Sequence, residues 1–450
     1  MRNPHYPNLR FNFTVNVLDG AFFGLGIGFA SFGTILPLFM SQFTTSATLI
    51  GLIPAIHVAG IQFPSMLMVG LMSRQKRFKP WVLLFSFNER SPFLFLALVA
   101  WFMSDLSPAA GAALIVLLLI VQGLSGGLGL VAWQSMLIKV LPPNLRGTFF
   151  GVQAAGFNIL AAISAVIAGV WLDRYGTRTG FAMCFFAAFV SLMLSYLMVA
   201  LTREPDEFPP EEETPPPQGI VQISMREILR RDVNFRWFLA VRMLAQFAMM
   251  GSAFYMVYVV MDYGVSKTIA GVLTSAGMIA GIVANPVMGW VGDRWGHYRV
   301  LGAGFLAALF SALTAWLAPG AGWFYLVIVL ASVANVAVWT IAIAMTLQFG
   351  RPAERQAYIG LSNTLIAPAT ILAPVIGGWL ADRSGYPLTF LVSVLFGVIT
   401  AAFFFIKLRD PRPVAPKAPV AQPALPVTTE SRPEEEPLQP AAGETVDSRP

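Results

Sequence analysis

The chain has 450 residues, 56% of them hydrophobic and 12% charged, with a mean hydropathy of +0.68 and a net charge of +6. Soluble domains carry about 25% charged residues, so a wholly water-soluble fold is excluded and a helical membrane protein is expected. The single cysteine, Cys184, excludes an internal disulfide framework.

In chain order, the apolar stretch from Phe11 to Met40 is too long for a signal-peptide core and lacks a small-residue cleavage site. It is therefore the first of twelve apolar runs near membrane-crossing length. The first six fall at 13–40, 48–72, 80–103, 110–138, 148–171 and 180–201. A connector at 202–235 follows. Its first part, REPDEFPPEEETPPP at 203–217, has nothing to bury and is expected to be disordered. Its second part begins with a capping-box pattern, Ser224 and Glu227. There Arg226, Arg230 and Arg231 alternate with Ile228, Leu229, Val233 and Phe235, which predicts a short helix on the inner membrane surface. The last six runs fall at 236–261, 268–291, 299–318, 322–348, 357–380 and 386–407. The Pro-rich, acidic tail at 408–450 is expected to be disordered. The domains are thus a six-helix half at 1–201, the connector, a second half at 236–407 and the tail.

Orientation follows from Lys and Arg. With both termini cytoplasmic, inner segments hold 23 of the 29, and short loops alone favour the inside by 12 to 4. A multi-pass protein of the cell membrane with both ends cytoplasmic is expected.

The halves are related in sequence. Residues 143–181 align without a gap on 352–390, with ten of 39 positions identical. The shared set includes Arg146/Arg355, Gly151/Gly360, Gly169/Gly378, Asp173/Asp382, Arg174/Arg383 and Gly176/Gly385. Paired halves of apolar helices are the signature of a transporter that rocks one half against the other.

One loop carries a family resemblance. GWVGDRWGHYRVL at 289–301 resembles the Gly-x-x-x-Asp-Arg loop between the second and third helices of a half in the major facilitator superfamily, through Gly289, Gly292, Asp293, Arg294, Gly296 and Arg299. The resemblance spans about residues 13–407. In the first half the corresponding GLMSRQKRFKP has Ser73 at the Asp position and Lys76 at the second Gly. The fourth span reads LLLIVQGLSGG, with Leu119 where proton-coupled members carry Arg. The Gly-Pro pattern of drug/proton antiporters is absent from the fifth span, while APVIGG at 373–378 stands on the eleventh.

The resemblance implies an all-α fold of twelve membrane helices in two pseudo-symmetric halves, with spans 1, 4, 7 and 10 around a central cavity. It places the second-half loop against the start of the fifth span. There Asp293 can accept helix N-terminal N–H groups and pair with Arg146. Across the pseudo-twofold, Ser73 meets the start of the eleventh span near Arg355 without a charge, so an asymmetric inner gate is expected. For Asp173-Arg174 and Asp382-Arg383, on the outer loops, a local turn and ion pair is expected.

Charges inside a bilayer imply a partner or a watery cavity. Asp19, Glu89, Arg90 and Arg242 are the ones that fall well within spans. Asp19 either carries a coupling proton or a cationic group, or pairs with Arg90 and fixes the third span. Glu89 and Arg90 read as a structural pair, and Arg242 as a site for an anionic group. His57 reads as a neutral, hydrogen-bonded core histidine. Gln122, Trp133, Gln134, Gln246, Asn335, Trp339 and Thr340 supply polar and aromatic groups on the presumed cavity helices, as ligand sites commonly do. Gly20, Gly24 and Gly28 at four-residue spacing read as packing residues.

No P-loop, catalytic constellation or metal cluster is evident. The expectation is a non-enzymatic secondary transporter of a small organic solute, a monomer in the lipid bilayer, without cofactor or nucleic acid, with protons as a candidate coupling ion. The alternatives are an uncoupled facilitator, or a membrane receptor or assembly factor on the same fold.

Overall fold

The computed structural model describes residues 6, 8–72, 75–206, 225–350 and 354–411. Ser73, Ser224, the acidic stretch from 207 and the tail from 412 lie outside the described residues, as does the side chain of Arg355.

Among the described residues all regular structure is helical. The first half runs α1 (Leu9–Phe29), α2 (Ile35–Met40), α3 (Ala47–Met72), α4 (Lys79–Arg90), α5 (Pro92–Trp101), α6 (Pro108–Val140), α7 (Pro143–Arg174) and α8 (Gly176–Ala200). The connector contributes α9 (Met225–Arg231). The second half runs α10 (Val233–Ala248), α11 (Tyr255–Met261), α12 (Lys267–Trp295), α13 (His297–Leu317), α14 (Phe324–Val336), α15 (Ala342–Thr346), α16 (Arg355–Ser384) and α17 (Tyr386–Lys407). Ten of the resulting stretches are long and apolar enough to cross a bilayer. The first span (α1 with α2), whose apolar run is interrupted by Asn12, Asn16 and Asp19, and α3 complete the twelve.

Besides the first, three spans are broken, each where backbone groups find other partners. Pro92, which has no N–H to give, separates α4 from α5 just after Arg90. A 3₁₀ turn at Met250–Ala253 separates α10 from α11, and Gly251 N donates there to Ser393 Oγ at 3.1 Å. A π turn at Ala337–Ile341 joins α14 to α15, of the kind that marks functional sites in helices.

Each half is closed by the same device. Asn12 on α1 bonds the backbone of Arg203 in both directions, at 2.9 Å each way. Asn234 on α10 does the same with Arg409, again at 2.9 Å each way. The first span of each half is thereby pinned to the end of its sixth. Gly24 and Gly28 let α7 lie directly against α1, because a side chain there would strike Phe157 O or Ala161 O.

Packing differs sharply between the two ends of the molecule. At the end away from the termini, one apolar core runs through both halves, joining Phe29, Phe39 and Phe181 to Phe254, Leu273 and Phe324. At the terminal end the cores are separate. Phe235, Phe305 and Phe404 belong to a second-half cluster, while Met68, Val82 and Val199 belong to a first-half one. The halves are therefore joined at one end and parted at the other.

Candidate substrate cavity and gates

A cavity of about 570 Å³ lies within the first half. Its floor is a charged cluster on three spans. Arg90, at the end of α4, lies 3.4 Å from Asp19 Oδ1 on α1 and 3.2 Å from Glu89 Oε2. Ser195 Oγ on α8 accepts from Arg90 Nη2 at 2.9 Å and donates to Asp19 Oδ1 at 2.6 Å. Arg90 also donates to Ser86 O at 3.1 Å and lies over the Phe23 ring. The walls are aromatic: Phe23, Phe32, Trp133, Phe150 and Phe157. His57 lines the cavity, stacks on Phe32 at 3.9 Å between centroids, and meets Gln122 Oε1 through Nδ1 at 3.3 Å.

Of the cavity residues named from sequence, Asp19 and Trp133 stand on this wall. Glu89, read as part of a structural pair on a peripheral span, stands there too. Gln122 is buried behind the wall, holding His57. Gln134 and Asn335 are exposed, Gln246 is buried on α10, and Trp339 packs against the second-half core. Thr340 donates to Asn285 Oδ1 at 3.1 Å.

Arg242 stands apart from Asp19. It is buried in the second half, donating to Ser362 Oγ at 2.6 Å and to Val338 O of the π turn at 3.3 Å, with Phe238 beneath it. No carboxylate pairs with it among the described residues, and its Nε has no hydrogen-bond partner.

The gates reverse what the sequence suggested. Asp173, at the end of α7, accepts from Lys267 N (3.0 Å), Thr268 N (2.7 Å) and Thr268 Oγ1 (2.5 Å), and so caps α12 of the other half. Asp382, at the end of α16, accepts from Ala47 N (2.5 Å), Thr48 N (3.0 Å), Thr48 Oγ1 (2.5 Å) and Ser46 Oγ (2.8 Å), capping α3. These are not local turns with an ion pair. A carboxylate suits a helix N-terminus, where unpaired N–H groups and the partial positive charge converge. One turn earlier, Gly169 rests on Lys267 and Thr268, and Gly378 on Ala47 and Thr48. Any side chain there would strike the partner backbone, so glycine sets the approach that the aspartate then locks.

The pattern Gly-x-x-x-Asp-Arg-x-Gly occurs three times, at 169–176, 289–296 and 378–385. The closing glycines Gly176, Gly296 and Gly385 all have positive φ, which ends one helix and starts the next at once. Repetition of the pattern was the signal for the outer pair. The third copy is unlatched in this structure. Asp293 is largely exposed, and it lies 3.7 Å from His297 Nε2 on its own turn. Arg146 bends back onto Ile138 O (2.7 Å) and Leu141 O (3.1 Å). The expected Asp293–Arg146 contact does not form, because the halves are parted at that end. Gly289 has open space around it, Arg294 stacks on Trp290, and Arg299 is exposed.

Matched caps at one end, parted cores at the other and two related halves define a multi-pass helical membrane protein of two pseudo-symmetric domains. The family model of the Major Facilitator Superfamily matches residues 18–265 and 243–440, and the chain belongs to that family. Solved structures share the fold at low identity. A nucleoside transporter, NupG, matches with a TM-score of 0.69 and 14% identity, over 88% of this chain and 99% of its own. A D-xylose-proton symporter gives 0.66 and 16%, over 89% and 98%. A bacterial homologue of the lysosomal transporter Spinster, in an inward-facing and unoccupied conformation, gives 0.65 and 14%, over 89% and 96%. No curated protein matches the sequence.

Proposed function

We propose that the chain is a secondary transporter that moves a small organic solute by alternating access, with 1–201 and 236–407 as the two moving halves and 202–235 as the tether. The observation that carries this reading is the pair of inter-half caps at one end set against parted cores at the other. The Lys and Arg bias puts the termini in the cytoplasm of a cell-membrane protein, so the captured state is inward-facing. Asp293 and Arg146 then belong to the inner gate of the other state, with Arg355 and Ser73 as its pseudo-symmetric counterpart.

Protons are the candidate coupling ion, and Asp19 their candidate carrier. Because Glu89 still pairs with Arg90 when Asp19 is neutralised, Asp19→Asn should fold, yet lose pH-gradient-driven accumulation. Unchanged accumulation in that variant removes Asp19 from coupling. The reading as a whole is tested by a thermal-shift screen of small solutes on purified protein, followed by counterflow in liposomes. Stabilisation and counterflow by the same solute support transport. Their absence across the screen, with binding partners lost on deleting the tail, would favour a receptor or assembly role.

A further inference from the structure

The charges around the first-half cavity do not balance. Asp19 and Glu89 share one guanidinium, Arg90. The remaining titratable group on the wall is His57, which is held by Phe32 and Gln122. Among the described residues, the other charges of the surrounding spans lie at or near their ends, and several are engaged elsewhere: Lys139 with Glu204, Arg146 with the Ile138 and Leu141 carbonyls, Asp173 with α12, and Arg178 with Trp101 O. With both carboxylates ionised the cluster therefore carries one negative charge too many. An uncompensated charge in a low-dielectric site is costly, and the cost is relieved by taking up one positive charge.

The atoms that would receive it are open. Asp19 Oδ1 is fully used by Ser195 and Arg90, but Asp19 Oδ2 accepts no hydrogen bond. Glu89 Oε2 meets Arg90, while Glu89 Oε1 accepts none and stands beside Gly126, where a side chain would crowd it. Two donors are also buried there without a partner, Trp133 Nε1 and Arg90 Nε, and they suit an acceptor atom and not the positive group. The rest of the wall sets Phe23, Phe32, Trp133, Phe150 and Phe157 among small and aliphatic residues, with Ser86, Gln153 and Asn158 as its remaining polar groups; the rings favour a flat or bulky apolar body and add cation–π attraction for a positive group over a ring face. At about 570 Å³ the space is that of a drug-sized molecule.

We propose that this cavity binds an amphipathic organic monocation, its positive group against Glu89 Oε1 and Asp19 Oδ2 and its apolar body among Phe23, Phe32, Trp133 and Phe157. The proposal rests on the transporter reading and names its substrate class. Glu89 is the specificity-determining residue, because its free oxygen faces the cavity while Asp19 is the better satisfied of the two. A proton and the cation answer the same single-charge deficit, so they exclude one another. Acidification fills the site with a proton and weakens the cation, and cation binding at neutral pH drives a proton off.

The test uses two probes of nearly identical shape and opposite charge, tetraphenylphosphonium and tetraphenylborate, titrated onto the purified full chain. The phosphonium is expected to bind and the borate not. Cation affinity should fall on acidification, approaching about tenfold per pH unit once the site is protonated, and calorimetry in buffers of different ionisation enthalpy should show proton release. Glu89→Gln should weaken the cation by about tenfold or more and flatten the pH dependence, whereas His57→Asn should keep the pH dependence. Equal or tighter binding of the borate overturns the proposal. So does a pH dependence lost in His57→Asn and kept in Glu89→Gln, or an unchanged affinity in folded Glu89→Gln. If Glu89→Gln does not fold, the charge preference and proton release of the unmodified chain decide. Counterflow of neutral or anionic solutes without phosphonium binding would defeat the cation site and spare the transporter reading. Failure of every solute would defeat that reading instead.

Discussion

The two halves are built on one frame and filled differently. The frame repeats closely: Asn12 and Asn234 pin the first span to the sixth, and Gly169 with Asp173 and Gly378 with Asp382 dock on the helix starts at Thr268 and Thr48. The filling does not repeat. The spacing of the Asn pins places Val241 where the first half has Asp19, and α13 has no ionisable residue between 300 and 317. The same spacing sets Arg242 against Gly20. In the first half the side chain of Gln153 fills the space over Gly20, whereas in the second Arg242 reaches across to Ser362, the repeat partner of Gln153. Rocking demands matched contacts at the moving interface, so the frame is held in common. Ligand chemistry makes no such demand, so the polar interior sits on one side.

The largest expected effect separates the two buried arginines. Arg90→Leu strands Asp19 and Glu89 without a countercharge, and breaking a buried pair in this way costs about 3–5 kcal/mol. Arg242→Leu removes an ion that has no carboxylate partner, so unfolding should show little loss or a gain in stability. Denaturant unfolding in detergent checks both, and equal losses would erase the distinction between the halves.

The common frame makes a prediction of middle size. Each latch aspartate caps a helix, and such a cap contributes about 1 kcal/mol. Asp173→Ala and Asp382→Ala should shift the conformational balance equally, and together by about thirtyfold toward opening of the end away from the termini. Labelling of cysteines placed beside Gly51 and Gly271 reports it. Unequal single effects would mean that the pseudo-symmetry is geometric only.

Each pin weighs about as much as the two latches together. Asn12→Ala and Asn234→Ala each remove two hydrogen bonds to backbone, worth about 1 kcal/mol apiece, and should lower thermal stability alike. Smallest is the inner gate. Asp293→Asn should leave the present state intact and raise its population by a factor matching about 0.3–1 kcal/mol, the usual helix-end contribution at an exposed site. Ser73→Asp should lower that population. Accessibility of cysteines at the terminal end distinguishes them, and no change for Asp293→Asn would remove the aspartate from gating.

The sequence made the twelve spans, the two halves and the connector helix legible, because apolar runs and a 209-residue repeat survive without tertiary context. Asp19 stood out as a charge inside a span, and its contact with Arg90 was one of the two readings offered. What stayed hidden was relational. Nothing local to Asp173 or Asp382 says that a helix start from the other half lies in front of it. Glu89 read as structural because the third span of a half is usually peripheral, whereas here it lines the cavity. The π turn that offers Val338 O to Arg242 has no pattern in AVWTI to announce it.

The central claim is that the end closed here must open for solute to cross. Lys267 and Thr177 face each other across that closure, with Lys267 Nζ 3.5 Å from Thr177 Oγ1. The native Cys184 is buried and should not interfere. Joining Thr177→Cys to Lys267→Cys by a short bifunctional linker should abolish counterflow in liposomes and leave solute binding from the terminal side unchanged, with activity restored on cleaving the linker. Full counterflow through the cross-linked protein would contradict alternating access at this interface.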